Sequence, residues 1–234
     1  MKIKITILLL YITCFTVNCT SQITSGKVTY IRKSNLQKIY NSENMQKIKI
    51  DTFQLAFNDS CSFFIPNNID LENQYYWAVS YNSIFHKYNR SATCLVSVNN
   101  ELFNINLDVY FKNWKLTGRT REIAGYACLE TIYEQKVSGK NLYAWFSPEI
   151  IPSGGPEGFG NLPGLILGIA FEDGSINYFA DNIEPNYKTE IKNVLIEQGQ
   201  KQESINILKQ KFISLNLSET LRRSYLSSLL FYLQ

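Results

Sequence analysis

The stretch ILGIAFEDGSINYFAD, at residues 166–181, decides the fold class. Two runs rich in β-branched and aromatic residues, Ile166–Phe171 and Ile176–Asp181, enclose the turn sequence Glu172-Asp173-Gly174-Ser175. Such runs suit extended strands, and a short polar turn containing Asp-Gly favours a hairpin between them. The stretch therefore predicts two antiparallel strands joined by a tight turn.

The same period-two alternation recurs along the chain, broken by short polar turns such as Asn58-Asp59-Ser60, Asn99-Asn100 and Ser138-Gly139. The further predicted strands are Gly26–Ile31, Ile50–Phe57, Cys61–Ile65, Ala92–Val98, Leu102–Leu107, Val109–Leu116, Gly125–Val137 and Leu142–Phe146. Closely spaced strands with short turns predict a mainly β protein built on a single curved antiparallel sheet. A sheet of this length must twist, so we expect a half-barrel or an open sandwich.

The C-terminal residues change to helical spacing. Between Lys201 and Leu215 the apolar residues step by three or four, and Ser218 can cap a second helix with an apolar stripe. The two stripes are Ile205, Leu208, Phe212 and Leu215, then Leu221, Tyr225, Leu229 and Leu233. We expect residues 200–234 to form one or two helices packed on a β domain that spans residues 22–199.

The N-terminus has the order of regions found in a secretory signal peptide. Lys2 and Lys4 are followed by the uncharged run Ile5–Val17 and by the small-residue stretch Cys19-Thr20-Ser21. The apolar run has 13 residues, fewer than the roughly 20 that a membrane-spanning helix needs. We therefore predict export to the periplasm or cell envelope, with residues 1–21 removed and Gln22 as the new N-terminus.

Cys19 leaves a second localisation open, because signal processing can lipidate a cysteine at this place and anchor the protein to a membrane through the lipid. Lipidation signals usually have an aliphatic residue three positions before the cysteine and a small residue just before it. Here Thr16 and Asn18 occupy those positions, which favours simple cleavage. No later stretch is long and apolar enough to predict a transmembrane span.

Net charge gives no support to nucleic-acid binding. The formal charge is +3, and removal of Lys2 and Lys4 with no acidic residue leaves +1 for residues 22–234. A nucleic-acid-binding protein usually carries a marked basic surplus. We therefore expect no nucleic-acid partner.

Three cysteines remain after cleavage: Cys61, Cys94 and Cys128. An exported protein can form disulfides, but an odd number leaves at least one thiol unpaired. Their wide spacing matches no zinc or redox motif. A Cys94–Cys128 bridge stays open, and Cys128, within an alternating strand, is most simply a buried thiol.

The segment Ser147–Gly164 is unusual in composition. It holds nine of the 18 Gly and Pro residues of the chain, whose totals are 12 and 6. Proline fixes φ and glycine reaches positive φ, so the segment can form neither a helix nor a strand. Apolar sequence flanks it on both sides, and long irregular loops of this kind are often functional. We expect an ordered lid or rim packed on the sheet, with these anchors: Ile150, Ile151, Phe159 and Leu162.

The end of this segment, Gly160-Asn161-Leu162-Pro163-Gly164-Leu165-Ile166-Leu167, resembles the hexapeptide signature of the GLPGLI family of exported bacterial proteins. Further family motifs follow in the family's order over residues 110–185: Trp114-Lys115-Leu116, Ile123–Cys128, Ala144–Ile150 and Gly155-Pro156-Glu157-Gly158-Phe159. The motif residues singled out are Gly155, Pro156, Leu162, Pro163, Gly164, Leu165 and Ile166.

One departure from that signature is Asn161, which stands where the hexapeptide has its first glycine. Asn tolerates left-handed φ, so we expect the turn to persist. The family has no established activity, so the resemblance implies no catalytic residue and no cofactor.

Few residues suggest catalysis. His86 is the only histidine, which excludes metal sites built from several imidazoles, and no nucleophile-elbow or HExxH motif accompanies it. Beside Lys87 it is most simply a solvated strand residue. A hydrolase would instead use two loop carboxylates placed about 5 to 9 Å apart around a cleft. The candidates are Glu149, Glu157, Glu172 and Asp173.

The sequence thus favours an exported, non-enzymatic binding or accessory protein with no cofactor and no metal. Its expected partner is a hydrophobic ligand, a peptide or an envelope protein held in the concavity of the sheet. A hydrolase using loop carboxylates and a structural subunit of an outer-membrane assembly are the alternatives. The lining of the space beneath Ser147–Gly164 distinguishes them, because a deep apolar pocket favours carriage, clustered acids favour catalysis and a filled core favours a structural role.

Overall fold

The computed structural model describes residues 22–75, 78–79, 81–88, 91–98, 101–107, 113–134, 141–187 and 202–204, with residues 206, 207, 210 and 214. Twelve strands lie in these ranges: β1 Gly26–Ser34, β2 Lys49–Phe57, β3 Cys61–Asn68, β4 Ser83–Lys87, β5 Ser91–Val98, β6 Glu101–Leu107, β7 Lys115–Ile123, β8 Tyr126–Glu134, β9 Asn141–Ser147, β10 Leu165–Phe171, β11 Ile176–Pro185 and β12 Gln202–Ser204. A short helix, α1, spans Leu36–Tyr40, and a single 3₁₀ turn spans Pro156–Gly158.

All twelve strands form one open sheet in the order β12-β6-β5-β4-β3-β2-β1-β11-β10-β9-β8-β7. Every neighbouring pair is antiparallel except β12 with β6, which are parallel. The predicted mainly β fold with a single antiparallel sheet is confirmed. Strands β1 and β11 pair at the centre of the sheet, so strands distant in sequence become neighbours there.

The hairpin at residues 166–181 forms as predicted, with β10 and β11 antiparallel. In β1 and β2 alternate residues are buried, which is the signature of strands with one face turned to a core. We call this the inner face, and it carries Val28, Tyr30 and Arg32 of β1. The opposite side is the outer face.

Several predicted boundaries are wrong. Strand β4 was given no bounds in advance, although His86 within it was expected to be a strand residue, and β7 begins at Lys115, although strand was expected from residue 109. Residues 109–112 and 135–137, which belong to two predicted strands, lie outside the described residues.

The C-terminal prediction is wrong at its start. The helix expected from Lys201 is preceded by strand β12, because Gln202–Ser204 pairs with β6 and extends the sheet. The described residues 206, 207, 210 and 214 are helical. The second predicted helix lies outside the described residues.

Helix α1 was not predicted, although its end signals are present. The Asn35 side chain accepts a hydrogen bond of 3.1 Å from the backbone N–H of Lys38, and Asn41 ends the helix in the left-handed conformation. Both are standard uses of asparagine at helix ends. Five residues give too short an apolar period to be recognised against the surrounding strands.

The core on the inner face is rich in aromatic rings. Phe53 stacks on Phe64 with ring centroids 5.0 Å apart, and the Tyr178 ring packs edge-on against both. Tyr30 meets Phe64 in the same way. Aromatic residues therefore serve as core packing on the pleated sheet, as their strand preference predicts. Within the described residues, no helix has both the length and the apolar character needed to cross a bilayer.

Candidate functional site

The segment between β9 and β10, Pro148–Gly164, packs across the inner face, and we call it the crossing segment. Its 3₁₀ turn contacts β3 and β4, and a Cβ placed on Gly158 would lie 3.2 Å from the Ile84 side chain. Its start is held by Ile23, which pairs with Ile150 in a parallel bridge. The crossing segment therefore packs on the inner face and does not form a rim at the edge of the sheet.

Three of the four predicted anchors are confirmed. Ile150, Phe159 and Leu162 are buried, whereas Ile151 is 46% exposed and was wrongly included. The backbone N–H of Ile151 donates to the Ile23 carbonyl at 3.0 Å, so this stretch is extended. Because neighbouring side chains of an extended chain point to opposite sides, burying Ile150 exposes Ile151.

The glycines of the GLPGLI-like motif allow close backbone approaches. A Cβ on Gly155 would lie 2.8 Å from Cβ of Ile166, and one on Gly164 would lie 2.1 Å from the Ser147 carbonyl oxygen. Gly164 also has φ +150, which side chains other than hydrogen rarely allow. These two positions fix how the crossing segment enters β10.

The other motif residues complete this corner. Pro156, Leu162, Leu165 and Ile166 are buried, and Pro163 is exposed. The Ile166 carbonyl accepts a hydrogen bond of 2.6 Å from the Tyr30 hydroxyl. The motif residues thus shape and anchor the segment, and none of them presents a reactive group.

Asn161 takes φ 64, so the expectation that asparagine would adopt the left-handed turn is confirmed. After it, the backbone N–H of Gly164 donates to the Leu162 carbonyl at 2.8 Å. The turn therefore forms with asparagine in place of the family's glycine.

Glu157 is the one acidic residue of the crossing segment that enters the core. It is 2% exposed, it has left-handed φ 54, and it accepts a hydrogen bond of 2.5 Å from the Tyr178 hydroxyl. Tyr178 in turn lies 3.3 Å from a guanidinium nitrogen of Arg32. A buried carboxylate requires such partners, because burial without them is costly.

Arg32 connects this carboxylate to a second one. Its guanidinium donates to Asp51 at 2.9 Å, and both side chains are almost fully buried. Asp51 also pairs with Lys49 and accepts a hydrogen bond of 2.8 Å from the Tyr81 hydroxyl. We call this set the buried charge network, and its members are Arg32, Lys49, Asp51, Tyr81, Glu157 and Tyr178. Two cations and two carboxylates balance within it.

The pKa values of the network follow from this balance. Burial alone would raise the pKa of Asp51, but Arg32, Lys49 and Tyr81 together hold it below its ordinary value. Burial raises the pKa of Tyr81, and the negative charge of Asp51 is the second cause of that rise. Burial also raises the pKa of Tyr178, and Glu157 adds to that rise. Shifted pKa values occur both in catalytic sites and in structural ion networks. The shifts of Asp51, Tyr81 and Tyr178 arise from burial and from other members of the buried charge network.

His86 is not a solvated strand residue, and that prediction is wrong. It is 2% exposed on the inner side of β4, its ring meets Tyr88 edge-on at 5.2 Å, and a Cβ on Gly160 would lie 3.0 Å from its Cε1. Neither ring nitrogen has a hydrogen-bond partner among the described residues. Burial lowers the pKa of His86 to about 4. Alternation along β4 places His86 inward together with Ile84, and the crossing segment then covers it.

The candidate carboxylates for hydrolysis occupy different environments. Glu149 and Glu172 are exposed, and Asp173 accepts the backbone N–H of Ser175 at 2.9 Å within the hairpin turn. Glu157 alone lies in the core. The four predicted candidates are therefore divided between the surface turns and the buried charge network.

The three cysteines Cys61, Cys94 and Cys128 are buried free thiols, so no Cys94–Cys128 bridge forms. Burial raises the pKa of Cys128 to about 11 and also raises that of Cys94. Within the described residues no group of three or more His, Cys, Asp or Glu side chains is placed to hold a metal ion.

A second cluster, missed from the sequence, lies on the outer face, where β7 and β9 meet β11. The Arg121 guanidinium carbon lies 5.2 Å from the Trp145 ring and 4.7 Å from the Phe179 ring. Arg119 lies over Tyr143 at 5.8 Å. We call this cluster the outer patch, and its members are Arg119, Arg121, Glu130, Tyr143, Trp145 and Phe179.

One carboxylate organises the outer patch. Glu130 is 7% exposed, and it accepts hydrogen bonds from Trp145 Nε1 at 3.1 Å, from Arg119 Nε at 2.6 Å and from the Thr117 hydroxyl at 2.9 Å. Arg121 is exposed, and no carboxylate in the described part of the chain forms an ion pair with it. Alternation of the half-buried Tyr143 with the buried Ala144 along β9 is a sequence signal that places Tyr143 on the outer face.

No family model and no curated protein matches the chain. Two solved structures of PNGF-II, in space groups C2 and P21, are similar to it with TM-scores of 0.56 and 0.58 over 86% and 80% of this chain. Sequence identity is 16% and 15%, so the likeness concerns the fold alone. The chain spans about a third of the length of the PNGF-II chains, 33% and 32%. The fold therefore also occurs within a longer polypeptide.

Proposed function

We propose that the protein is an exported, non-enzymatic binding or accessory protein of the cell envelope, related to the GLPGLI family, which meets its partner through the outer face of its sheet. The observation that carries this proposal is the course of the crossing segment. Gly154, Gly155, Pro156, Glu157 and Phe159 are all buried against the inner face. The chain itself thus covers the concavity in which a ligand was expected.

The outer patch supports a binding role. Arg, Trp and Tyr are the residue types most enriched at the energetic centres of protein interfaces. Here Glu130 holds Arg119 and Trp145 in place, so these two side chains lose little freedom when a partner binds. The signal peptide predicted at residues 1–21 and the alternative of lipidation at Cys19 both place the protein outside the cytoplasm.

Hydrolysis by loop carboxylates has less support. Glu157 is committed to the Tyr178 hydroxyl in the core, which leaves surface acids in turns. A structural role in an outer-membrane assembly uses the same surfaces as a binding role and differs in the permanence of the contact. Carriage of a hydrophobic ligand requires the crossing segment to move away from the inner face.

Site-directed photocrosslinking in the producing cells tests the proposal. A photoreactive phenylalanine in place of Tyr143 on β9 should crosslink one envelope component, and the same residue in place of the exposed Tyr187, two residues after the end of β11, is the control. The captured component should then bind the purified protein saturably. Absence of a crosslink from Tyr143, together with turnover of a glycan or peptide that Glu149→Gln abolishes, would overturn the proposal in favour of the hydrolase.

A further inference from the structure

Strand β7 is an edge of the sheet. Among the described strands it pairs with β8 alone, and seven of its nine residues are exposed. An edge strand presents backbone N–H and C=O groups that an added strand can pair with. Extended peptides use such edges as docking sites, with backbone hydrogen bonds for affinity and alternate side chains for selectivity.

The charge on β7 determines which kind of strand can pair with it. Its sequence KLTGRTREI carries Lys115, Arg119 and Arg121 against Glu122, a net charge of +2. Two copies of this strand would repel each other if they paired edge to edge. The register shift between Leu116 and Thr120 affects the first half of the strand, and the half from Thr120 to Ile123, which contains Arg121, is regular. The edge is thus poorly suited to a second copy of this chain and suited to a strand of opposite charge.

Arg121 is the uncompensated cation at this edge. Glu130 already neutralises Arg119, so the outer patch retains one positive charge. The guanidinium carbon lies 5.2 Å from the Trp145 ring and 4.7 Å from the Phe179 ring, contacts that restrict its movement, and the Arg121 residue remains exposed. A fixed guanidinium is the group best suited to bidentate pairing with a carboxylate.

From these observations we infer that β7 binds, by strand addition, an extended acidic segment of a partner protein, one of whose carboxylates pairs with Arg121. This inference rests on the proposed binding function and names the chemistry of the partner. Residues i and i+2 of an extended segment are about 6.6 Å apart on one face, so alternate acidic residues follow the spacing of Arg119 and Arg121. The stacked arginine recognises the carboxylate, and the backbone edge recognises the extended conformation.

The experiment uses the purified protein and fluorescein-labelled nine-residue peptides in which glutamate alternates with threonine or valine. A peptide with glutamine in place of glutamate is the matched control. Binding is followed by fluorescence anisotropy, and hydrogen exchange of the backbone amides locates the site. We expect saturable binding of the glutamate peptide and slower exchange confined to residues 115–123.

Variants separate the charge from the fold. Arg121→Gln should weaken binding by about tenfold, and Arg121→Lys should recover part of that loss, because lysine retains charge without the planar fork. Lys87→Gln removes an exposed cation on β4, which lies in the other half of the sheet and far from the β7 edge, and should leave binding unchanged. Equal melting temperatures of the variants show that the fold is intact.

Several results would overturn the inference. These are equal affinity for the glutamate and glutamine peptides, no binding of either, or an Arg121→Gln variant that binds like wild type. Binding to heparin or to phosphatidylglycerol vesicles in place of the peptide would assign the patch to an anionic glycan or lipid instead. A partner crosslinked at Tyr143 that still binds the Arg121→Gln variant would keep the proposed function and reject the acidic strand.

Discussion

Acidification should destabilise this protein through His86. The imidazole is buried with no hydrogen-bond partner for either ring nitrogen among the described residues. The groups around it are Ser62 on β3 and Ala92 on β5, which pair with His86 on either side, Tyr88 just after β4, and Ser153 and Gly160 of the crossing segment. All are uncharged, so nothing compensates a proton on the ring. The neutral form is therefore favoured in the fold.

The magnitude follows from the shift. The folded pKa of His86 is about 4, compared with an ordinary value of 6.5 in the unfolded chain. Because the folded pKa is lowered, the unfolded state binds the proton first, and stability is lost as the pH falls from 6.5 towards 4. Linkage gives a loss of about 2 kcal/mol at pH 5 and about 3 kcal/mol at pH 4, relative to neutral pH.

Urea denaturation at pH 7 and pH 5, followed by tryptophan fluorescence, measures this loss. His86→Phe keeps a ring of similar size and removes the titrating group, so it should not show the His86 contribution. Carboxylates titrate in both proteins and cancel in the comparison. The reasoning fails if wild type and His86→Phe lose the same stability between the two pH values, or if an NMR titration of the imidazole gives an ordinary pKa.

Three further predictions concern the core and the crossing segment. Asp51→Asn leaves Arg32 and Lys49 without their buried carboxylate and should lower the free energy of unfolding by about 3 to 5 kcal/mol. Lys115→Met, which breaks an exposed ion pair, should change that free energy by less than about 1 kcal/mol. Equal effects of the two variants would contradict the buried charge network. Asn161→Ala should destabilise the fold by about 1 kcal/mol because alanine disfavours left-handed φ, while Asn161→Gly should be neutral or stabilising. Urea denaturation distinguishes the two variants, and an alanine variant as stable as wild type would refute the left-handed turn. The three buried thiols should react with Ellman's reagent only after denaturation, so rapid labelling of the native protein would show that the inner core is open.

Much of the fold could be predicted from local sequence. The hairpin at residues 166–181 follows from alternation and an Asp-Gly turn, and both signals act between neighbours in the chain. Asn161 could be assigned its left-handed turn because that preference belongs to the residue itself. The burial of Ile150, Phe159 and Leu162 followed from their apolar character within a segment rich in glycine and proline.

The sites depended on contacts between residues distant in sequence. Glu157 and Arg32 belong to one network only because β11 lies beside β1, a pairing that no local pattern encodes. His86 was misassigned for the same reason, since its neighbour Lys87 suggested solvent whereas the cover is supplied by Gly160 and Ser153. In the outer patch, too, Arg121 meets Phe179 across strands far apart in the chain.

Backbone preferences and alternation are short-range properties, so the order of amino acids is enough to predict a mainly β chain, one irregular segment and the course of most strands. Contacts between distant strands set the rest: this segment covers the inner face, its glutamate joins a balanced set of buried charges, and an uncompensated arginine remains on the outer face. Those outcomes depend on strand order, since the free energy of a buried charge is set by the groups that the sheet brings against it.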